Sequence, residues 1–530
     1  MPSESHNSIH ARASNRKPAD FAFAIILAVV VGLTPLALVL KTCRNAAAIA
    51  KCVTLRNETG NPESSVAERS LAVAKGEPLY GDPTRWPYNA ALYGPLTYCL
   101  TGWTGRLMGL PEQRLDQAQR VFVVGRVVSI VAGLAVLWWF WFMAGRLGLG
   151  WEFKLFSIVL FLASRSMVLY WPTHRPDFAA LALALWGWAA AVHLRGRAGP
   201  LAAAALMALA FFFKQPCAVS AGFLALWLLA TGRKRDAVFF SGIYAALLLV
   251  PIAALQFATQ GRYWLNTVGA LSSPFRAANV VEILFVLRGF DLLPFAGGLA
   301  VTMLRRARGA RTNFACWAFC STFVAAVLLS LRSGSALNYF LEPFCWGCLL
   351  CGAGAAQLLR KVSLGDPRAT FRRIEILAVM VVLFVVGLWE IRHLPSSSRW
   401  MGDRFKSWGD DHREIADFLA GVRGEILTTK GYAYWHSNSP PTMLDSYLLS
   451  VRVETGALSP APLIEKIRRH DFEAILLDWN IQTEEPNRWQ NVDFMPREAT
   501  EAILEDYSLD ARSGKNLFLY VPIEGVKGPR

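Results

Sequence analysis

Apolar residues run in long unbroken stretches from Phe21 to Trp389, and the polar residues between them fall in short clusters. Runs of roughly 15 to 24 residues are long enough, as helices, to cross a hydrocarbon core of about 30 Å. A helix also satisfies its own backbone polar groups, as lipid requires. The expected spans lie near 21–41, 121–144, 155–171, 177–194, 199–213, 216–231, 237–257, 283–304, 313–331, 338–357 and 374–394. One more apolar stretch, Ala90 to Leu110, contains Gly94-Pro95, Gly102 and Gly105. It reads as a broken helix that dips into the membrane and returns, or lies in its interface. The pattern changes after residue 395. Amphipathic stretches at 412–423, 462–472 and 497–507 alternate with strand-like ones at 425–429, 473–479 and 516–522, an α/β rhythm. The fold class is an α-helical polytopic membrane protein with about 11–13 transmembrane helices and a small C-terminal α/β domain. The organisation is an N-terminal tail, 1–20, a transmembrane domain, 21–394, whose first outer loop covers 42–120, and the C-terminal domain, 395–530.

Charge orients this chain. The formal net charge of +15 would suit a nucleic-acid partner, but the cations are not on one surface. They sit in alternate loops: Arg146 and Lys154; Arg195 and Arg197; Arg233, Lys234 and Arg235; Arg305, Arg306, Arg308 and Arg311; Arg360, Lys361, Arg368, Arg372 and Arg373. Cytoplasmic loops carry that bias, so no nucleic acid is expected. The N-terminal tail is then cytoplasmic. The loops at 172–176, 214–215, 258–282 and 332–337 face outward, as does the C-terminal domain. The start of the chain shows no cleavable signal pattern, so the first span is expected to remain as an anchor. The nine cysteines have no metal-type spacing, and most lie in spans. Cys43 and Cys52 fall in the first outer loop, where they could pair in an oxidising compartment.

With this orientation the unusual polar residues share the outer face. The first loop brings Glu63, Glu68, Glu77 and Asp82; the sequence YWPTHRPD brings His174, Arg175 and Asp177; AFFFKQP brings Lys214 and Gln215. LRSGSALNYFLEPF brings Arg332, Asn338, Tyr339 and Glu342. Bland roles compete with functional ones. Arg175 and Asp177 form a plausible ion pair at a helix start, Lys214 can snorkel, and Glu77 and Asp82 suit a turn. Glu342 can pair with Arg332 or serve the backbone freed by Pro343. Together, though, a carboxylate can act as a general base, Arg and Lys can hold a phosphate leaving group, and Trp86, Tyr88, Tyr93 and Trp171 suit sugar rings. Nucleotide-activated donors are cytoplasmic. A sugar carried on a polyprenyl phosphate reaches an outward-facing site through the lipid.

The motifs GEPLYGDP with YNAALYGPLTY (Gly76 to Tyr98), RPD (Arg175 to Asp177), LAFFFKQP (Leu209 to Pro216) and NYFLEPF (Asn338 to Phe344) occur in an order that resembles a known group. It is the GT-C-type polytopic membrane glycosyltransferases, the broad bacterial group with protein O-mannosyltransferases and lipid A aminoarabinose transferases. The resemblance covers about residues 20–395. It implies a catalytic acid in the first loop about thirteen residues before the Gly of G-x-P-L-Y. Here that is Glu63, with Glu68 as the fallback. It also implies a second acid at Asp177, a cation at Lys214, and substrate contacts from Arg175, Tyr80, Tyr93, Asn338 and Tyr339. The sequence departs from the group at Gly94, where a Pro is usual, and at Ser64, where a Gly is common. Metal use varies across the group, so no metal ligand is assigned and a divalent ion is left open as cofactor.

The expected function is transfer of a sugar from a polyprenyl-phosphate donor to a lipid, glycan or protein acceptor on the outer face of a bacterial inner membrane. A transporter or flippase of lipid-linked sugars is the alternative, although no internal repeat of the transporter kind is visible. A non-catalytic scaffold is the third reading. It expects the loop carboxylates to be neutralised without effect.

Overall fold

The computed structural model describes residues 18–54, 63–270, 273–287, 291–303, 310–363, 413–484, 488–489, 492–514 and 517–523, with short pieces at 385–386, 388–390 and 392–393. The basic clusters near 305 and 368, the domain boundary at 394/395 and most of the expected span 374–394 lie outside these residues.

The apolar runs are helices. In order they are α1 (Pro18–Thr54), α2 (Glu63–Lys75), α3 (Pro95–Leu107), α4 (Arg114–Arg146), α5 (Trp151–Leu162), α6 (Arg165–Tyr170), α7 (Asp177–His193), α8 (Ala198–Phe213), α9 (Cys217–Ala230) and α10 (Lys234–Ala258). A three-residue turn, α11 (Arg262–Trp264), leads to α12 (Ala277–Val286), α13 (Leu293–Met303), α14 (Ala310–Ser330) and α15 (Leu341–Ser363). Among the described residues three segments are long and apolar enough to cross a membrane alone: Arg114–Arg146, Lys234–Ala258 and Thr312–Ser330. Helices α7, α8, α9 and α13 are apolar but shorter, and they pack against their neighbours in the bundle. Trp139, Trp188 and Trp346 are fully buried at the centre of the bundle, and Trp346 meets the other two edge-on, with ring centroids 4.8 and 6.2 Å away.

Several expected boundaries change. Helix α1 does not stop at residue 41 but continues to Thr54, so the first loop starts later than expected. A span is marked by hydrocarbon thickness, whereas a helix ends only where its backbone is capped or broken. Cys43 and Cys52 therefore lie on one helix, about 13.5 Å apart along its axis, too far for a disulfide, and neither forms one. The expected span 155–171 is broken into α5 and α6 at Ala163 and Ser164. Asp291 accepts hydrogen bonds there from the Ser164 hydroxyl and the Arg165 amide. The stretch 283–304 is likewise divided, between α12 and α13.

The stretch Ala90 to Leu110 does not cross. Helix α3 is 13 residues long, about 20 Å, and packs on α2, α4 and α8. It leaves Trp103, Leu107 and Met108 exposed, as an interfacial helix does. Gly94 precedes it, where the resemblance expects Pro. A Cβ at this position would run into the Phe212 carbonyl at the end of α8. Close approach of the first loop to α8 therefore requires glycine. Gly94→Ala is expected to cost about 1–3 kcal/mol of stability through overpacking, read as a lower melting temperature in detergent.

The C-terminal domain holds a four-stranded sheet in the order β1-β2-β6-β5. Its strands are β1 (Glu425–Thr428), β2 (Phe472–Leu477), β5 (Tyr507–Leu509) and β6 (Phe518–Pro522). Strand β1 pairs parallel to β2, and the other pairs are antiparallel. A short ribbon, β3 (Arg488–Trp489) with β4 (Val492–Asp493), stands apart. Helices Arg413–Gly421, Ala461–Arg468 and Arg497–Asp506 lie where the amphipathic pattern puts them. Helix Ser446–Glu454 and strand β5 are additions. The domain rests on the first loop. Tyr88 N donates to Thr442 O (2.9 Å), Asn89 Nδ2 to Pro441 O (2.6 Å), Arg452 Nη1 to Pro83 O (2.9 Å) and Ser65 Oγ to Leu444 O. Trp435 packs edge-on against Phe122 of α4, at 5.1 Å.

Candidate active site

Helix α4 carries two glycines, Gly125 and Gly133, on one face about two turns apart. A Cβ at the first would enter the His174 ring, and one at the second would enter the Trp171 indole. The loop before α7 is thus pressed into α4. Ser129, between them, donates to Thr173 O at 2.7 Å and Arg175 O at 3.3 Å. This rigid loop delivers Arg175 and Asp177.

Asp177 is the hub. Its Oδ1 accepts from Lys214 Nζ at 2.5 Å and from Asn338 Nδ2 at 2.9 Å, and its Oδ2 accepts from Arg175 Nε at 2.9 Å. The carboxylate is almost wholly buried, at 3 % exposure. Two cations thus surround one anion, and the cluster carries surplus positive charge. Lys214 Nζ also lies 4.9 Å from the centre of the Tyr339 ring, a cation–π distance. Lys214 caps α8, and the first loop holds its hairpin from both sides. Thr97 Oγ1 donates to Phe213 O at 3.2 Å, and Gln215 Nε2 to Leu92 O at 3.1 Å.

The cluster opens on a cleft between α7, α9, α14 and α15, of about 530 Å³ including space open to the outside. Its polar lining is Asp177, Lys214, Ser220, Thr322, Asn338, Tyr339 and Glu342, and its walls include Leu181, Val219, Ala326 and Leu329.

The structure thus brings Asp177, Arg175, Lys214, Asn338 and Tyr339 together. Tyr93 stands close enough to sense the charges of Arg175 and Asp177. Among the described residues Tyr80 makes no hydrogen bond to the cluster. It packs edge-on against Tyr263 at 5.3 Å, and its hydroxyl donates to Tyr93 O at 3.4 Å. Asn266 adds to this support by accepting from Ala91 N at 2.9 Å and donating to Gly81 O at 2.8 Å.

Glu63 is placed elsewhere. It is fully buried, with Arg126 Nε 2.8 Å from Oε1 and Arg126 Nη2 3.1 Å from Oε2. The His174 amide donates to the same Oε1 at 2.6 Å. Arg126 also donates to Cys52 O, so this pair ties α1, α2, α4 and the His174 loop. A carboxylate so saturated makes its contacts within the fold, at the position where the resemblance implies a catalytic acid. Glu68 is paired too, with Arg114 Nη2 at 3.1 and 3.2 Å. Arg126 went unnoticed in the sequence, although an arginine inside an apolar run is a signal. Among the described residues Glu342 forms no ion pair, with Arg332 or with another cation; Ser220 and Trp188 hold it.

Among the described residues no three His, Cys, Asp or Glu side chains are arranged to hold a metal ion. The donor set points the same way. The one acid of the cluster faces two cations, which oppose a divalent ion.

The C-terminal domain reaches this region through Asp445. Burial pushes its carboxyl up to about 6, against the lowering effects of the Leu448 amide and of Arg175. A carboxyl raised in the folded state adds stability that is complete below its unfolded value and is lost as pH rises through about 6. The melting temperature of the wild type should therefore fall relative to Asp445→Asn between pH 5 and pH 7.5, by about 2 °C or more. Asn keeps the cap on the Ser446–Glu454 helix. Parallel pH profiles would refute this. The comparison with a variant is needed because His174, which burial pushes down to about 4, contributes with the opposite sign.

No sequence-family model matches the chain, and no curated protein does. Solved structures do. ArnT from Cupriavidus metallidurans, bound to undecaprenyl phosphate, superposes with a TM-score of 0.55 at 14 % identity, over 97 % of this chain and 100 % of that one. The chain has a GT-C fold. Two more structures with this fold match less closely. The arabinofuranosyltransferase AftD from Mycobacteria gives a TM-score of 0.48 at 15 % identity, over 93 % of this chain and 40 % of that one. The oligosaccharyltransferase of Archaeoglobus fulgidus, solved with Zn and sulfate, gives 0.45 at 11 % identity, over 92 % and 73 %. The GT-C fold accounts for the whole arrangement: a multi-pass helical membrane protein, a structured first outer loop, and a small sheet-containing C-terminal domain on the same side.

Proposed function

We propose that this protein is an integral membrane glycosyltransferase that moves a sugar from a polyprenyl-phosphate donor to a lipid, glycan or protein acceptor at the outer face of a bacterial inner membrane. The observation that carries this reading is the cation pair Arg175 and Lys214, held by a single carboxylate, Asp177, that lines an apolar-walled cleft inside the helix bundle. A phosphodiester that arrives through lipid needs fixed cations at the membrane boundary and apolar walls beside them. ArnT, with the same fold, was solved holding undecaprenyl phosphate.

The donor phosphate docks on Lys214 and Arg175 and draws them part of the way from Asp177. Asp177 then regains a lone pair and takes the proton of the acceptor hydroxyl or amine. The acceptor atom bonds to the anomeric carbon as the carbon–oxygen bond to phosphate breaks. Polyprenyl phosphate leaves with the electron pair, and the two cations stabilise the added charge. In this scheme Glu63 and Glu68 hold the first loop in place through Arg126 and Arg114.

The test is transfer by purified protein in detergent, with radiolabelled polyprenyl-phosphate sugars and a membrane extract as acceptor. Donor-dependent label in a product supports the reading. Absence of transfer, with movement of the labelled lipid across a reconstituted bilayer, would assign the protein as a flippase instead.

A further inference from the structure

Glu342 is the second acid of the cleft, and its surroundings differ from those of Asp177. It lies in the first turn of α15. Its Oε1 accepts from Ser220 Oγ of α9 at 2.6 Å and from Trp188 Nε1 of α7 at 2.9 Å. Ser220 Oγ in turn lies 2.9 Å from Trp188 Nε1. Three helices therefore converge on one oxygen and fix the plane of the carboxylate. The other oxygen, Oε2, makes no hydrogen bond among the described residues, and the residue lines the cleft. Among the described residues no cation lies within salt-bridge distance of it.

Depth identifies what meets that oxygen. Trp188 is about three helical turns below Asp177 on α7, and Ser220 is one turn below the start of α9. Glu342 thus lines the cleft below Lys214, which stands at its mouth bound to Asp177. A carboxylate facing an apolar, membrane-embedded space is costly unless a donor group satisfies it. If phosphate sits at the mouth, as proposed above, its two substituents are the prenyl chain and the sugar. A prenyl chain against Glu342 would strip the carboxylate of water and return no hydrogen bond. The sugar offers hydroxyl donors.

We propose that Glu342 is a sugar-binding residue: its oriented, unpartnered oxygen accepts hydrogen bonds from hydroxyl groups of the lipid-linked donor and sets which sugar is accepted. This rests on the glycosyltransferase reading for the position of the phosphate, but not for the binding step itself. A purely structural Glu342 would only tie α7, α9 and α15 together.

Binding separates these cases. Purified full-length protein in detergent is titrated with undecaprenyl monophosphate and with undecaprenyl-phosphate glucose, mannose and arabinose, and tryptophan fluorescence or a thermal shift gives Kd. The wild type is expected to bind at least one sugar-bearing lipid about 10-fold or more tighter than the bare lipid phosphate, the range of one charged hydrogen bond. Glu342→Gln, which keeps the shape and the Oε1 contacts, should lose most of that increment and leave the Kd for bare undecaprenyl monophosphate unchanged. Ser220→Ala, which frees the carboxylate to rotate, should lose part of it. An increment retained in Glu342→Gln, or equal weakening for bare and sugar-bearing lipids, overturns the inference, as does a wild type that prefers no sugar. Failure of the wild type to bind even the bare lipid phosphate would overturn the glycosyltransferase reading as well.

Discussion

Asp177→Asn should lower sugar transfer at saturating donor by about 10²–10⁴-fold, the range for losing a positioned acid or base. It removes the proton acceptor and leaves Lys214 and Arg175 without their common anion. Lys214→Ala should act differently. With one cation gone, Asp177 and Arg175 balance each other and the phosphate loses a contact, so donor affinity should fall by about 10-fold or more. Turnover should fall as well, because the leaving group loses stabilisation. Lys214→Arg should recover some affinity, since the charge returns but the fork geometry differs. The measurement is kcat and KM for donor in folded protein, with folding checked by melting temperature. Near-normal turnover in Asp177→Asn would remove that residue from the chemistry. Unchanged donor KM and turnover in Lys214→Ala would move the phosphate elsewhere.

The second large effect concerns stability and comes from Glu63 and Arg126. Both side chains are fully buried, with 0 % exposure. Glu63→Ala removes the carboxylate from a fully buried guanidinium. Breaking such a pair costs about 3–5 kcal/mol, whereas replacing both members by apolar groups of similar size is often neutral. Glu63→Ala should therefore yield little folded protein, while Glu63→Leu combined with Arg126→Met should recover much of it. Activity of the double variant then decides the role of Glu63. Substantial transfer assigns it to holding the first loop, and a folded but inactive double variant would restore it as the first-loop base.

These two predictions show where sequence reasoning reached and where it ended. The acid at 63 was found by its place before GEPLY, but its partner lies 63 residues away within an apolar helix. Nothing local to either residue reports the pair. The cluster at Asp177 was more legible. Arg175 and Asp177 are neighbours, Lys214 stands at a hairpin tip beside Pro216, and Asn338 opens an apolar span. Polar residues at the ends of spans are few, and the bias of the basic loops put these on one side. Even so, that Lys214 and Asn338 share one oxygen of Asp177 is visible only in three dimensions. Glu342 was seen as unusual, yet Ser220 and Trp188 carry no sign of serving it.

The sequence by itself determined that the chain is a multi-pass membrane protein and that an α/β domain follows the spans on the outer side. Those properties come from transfer of apolar runs into lipid and from period and charge, all of which are local or additive along the chain. Tertiary structure decided which acid is buried in an ion pair, which one gathers cations, and which one lines the cleft with an oxygen left open. A carboxylate's role depends on the few ångströms around its oxygens, and those neighbours arrive from helices that are distant in sequence.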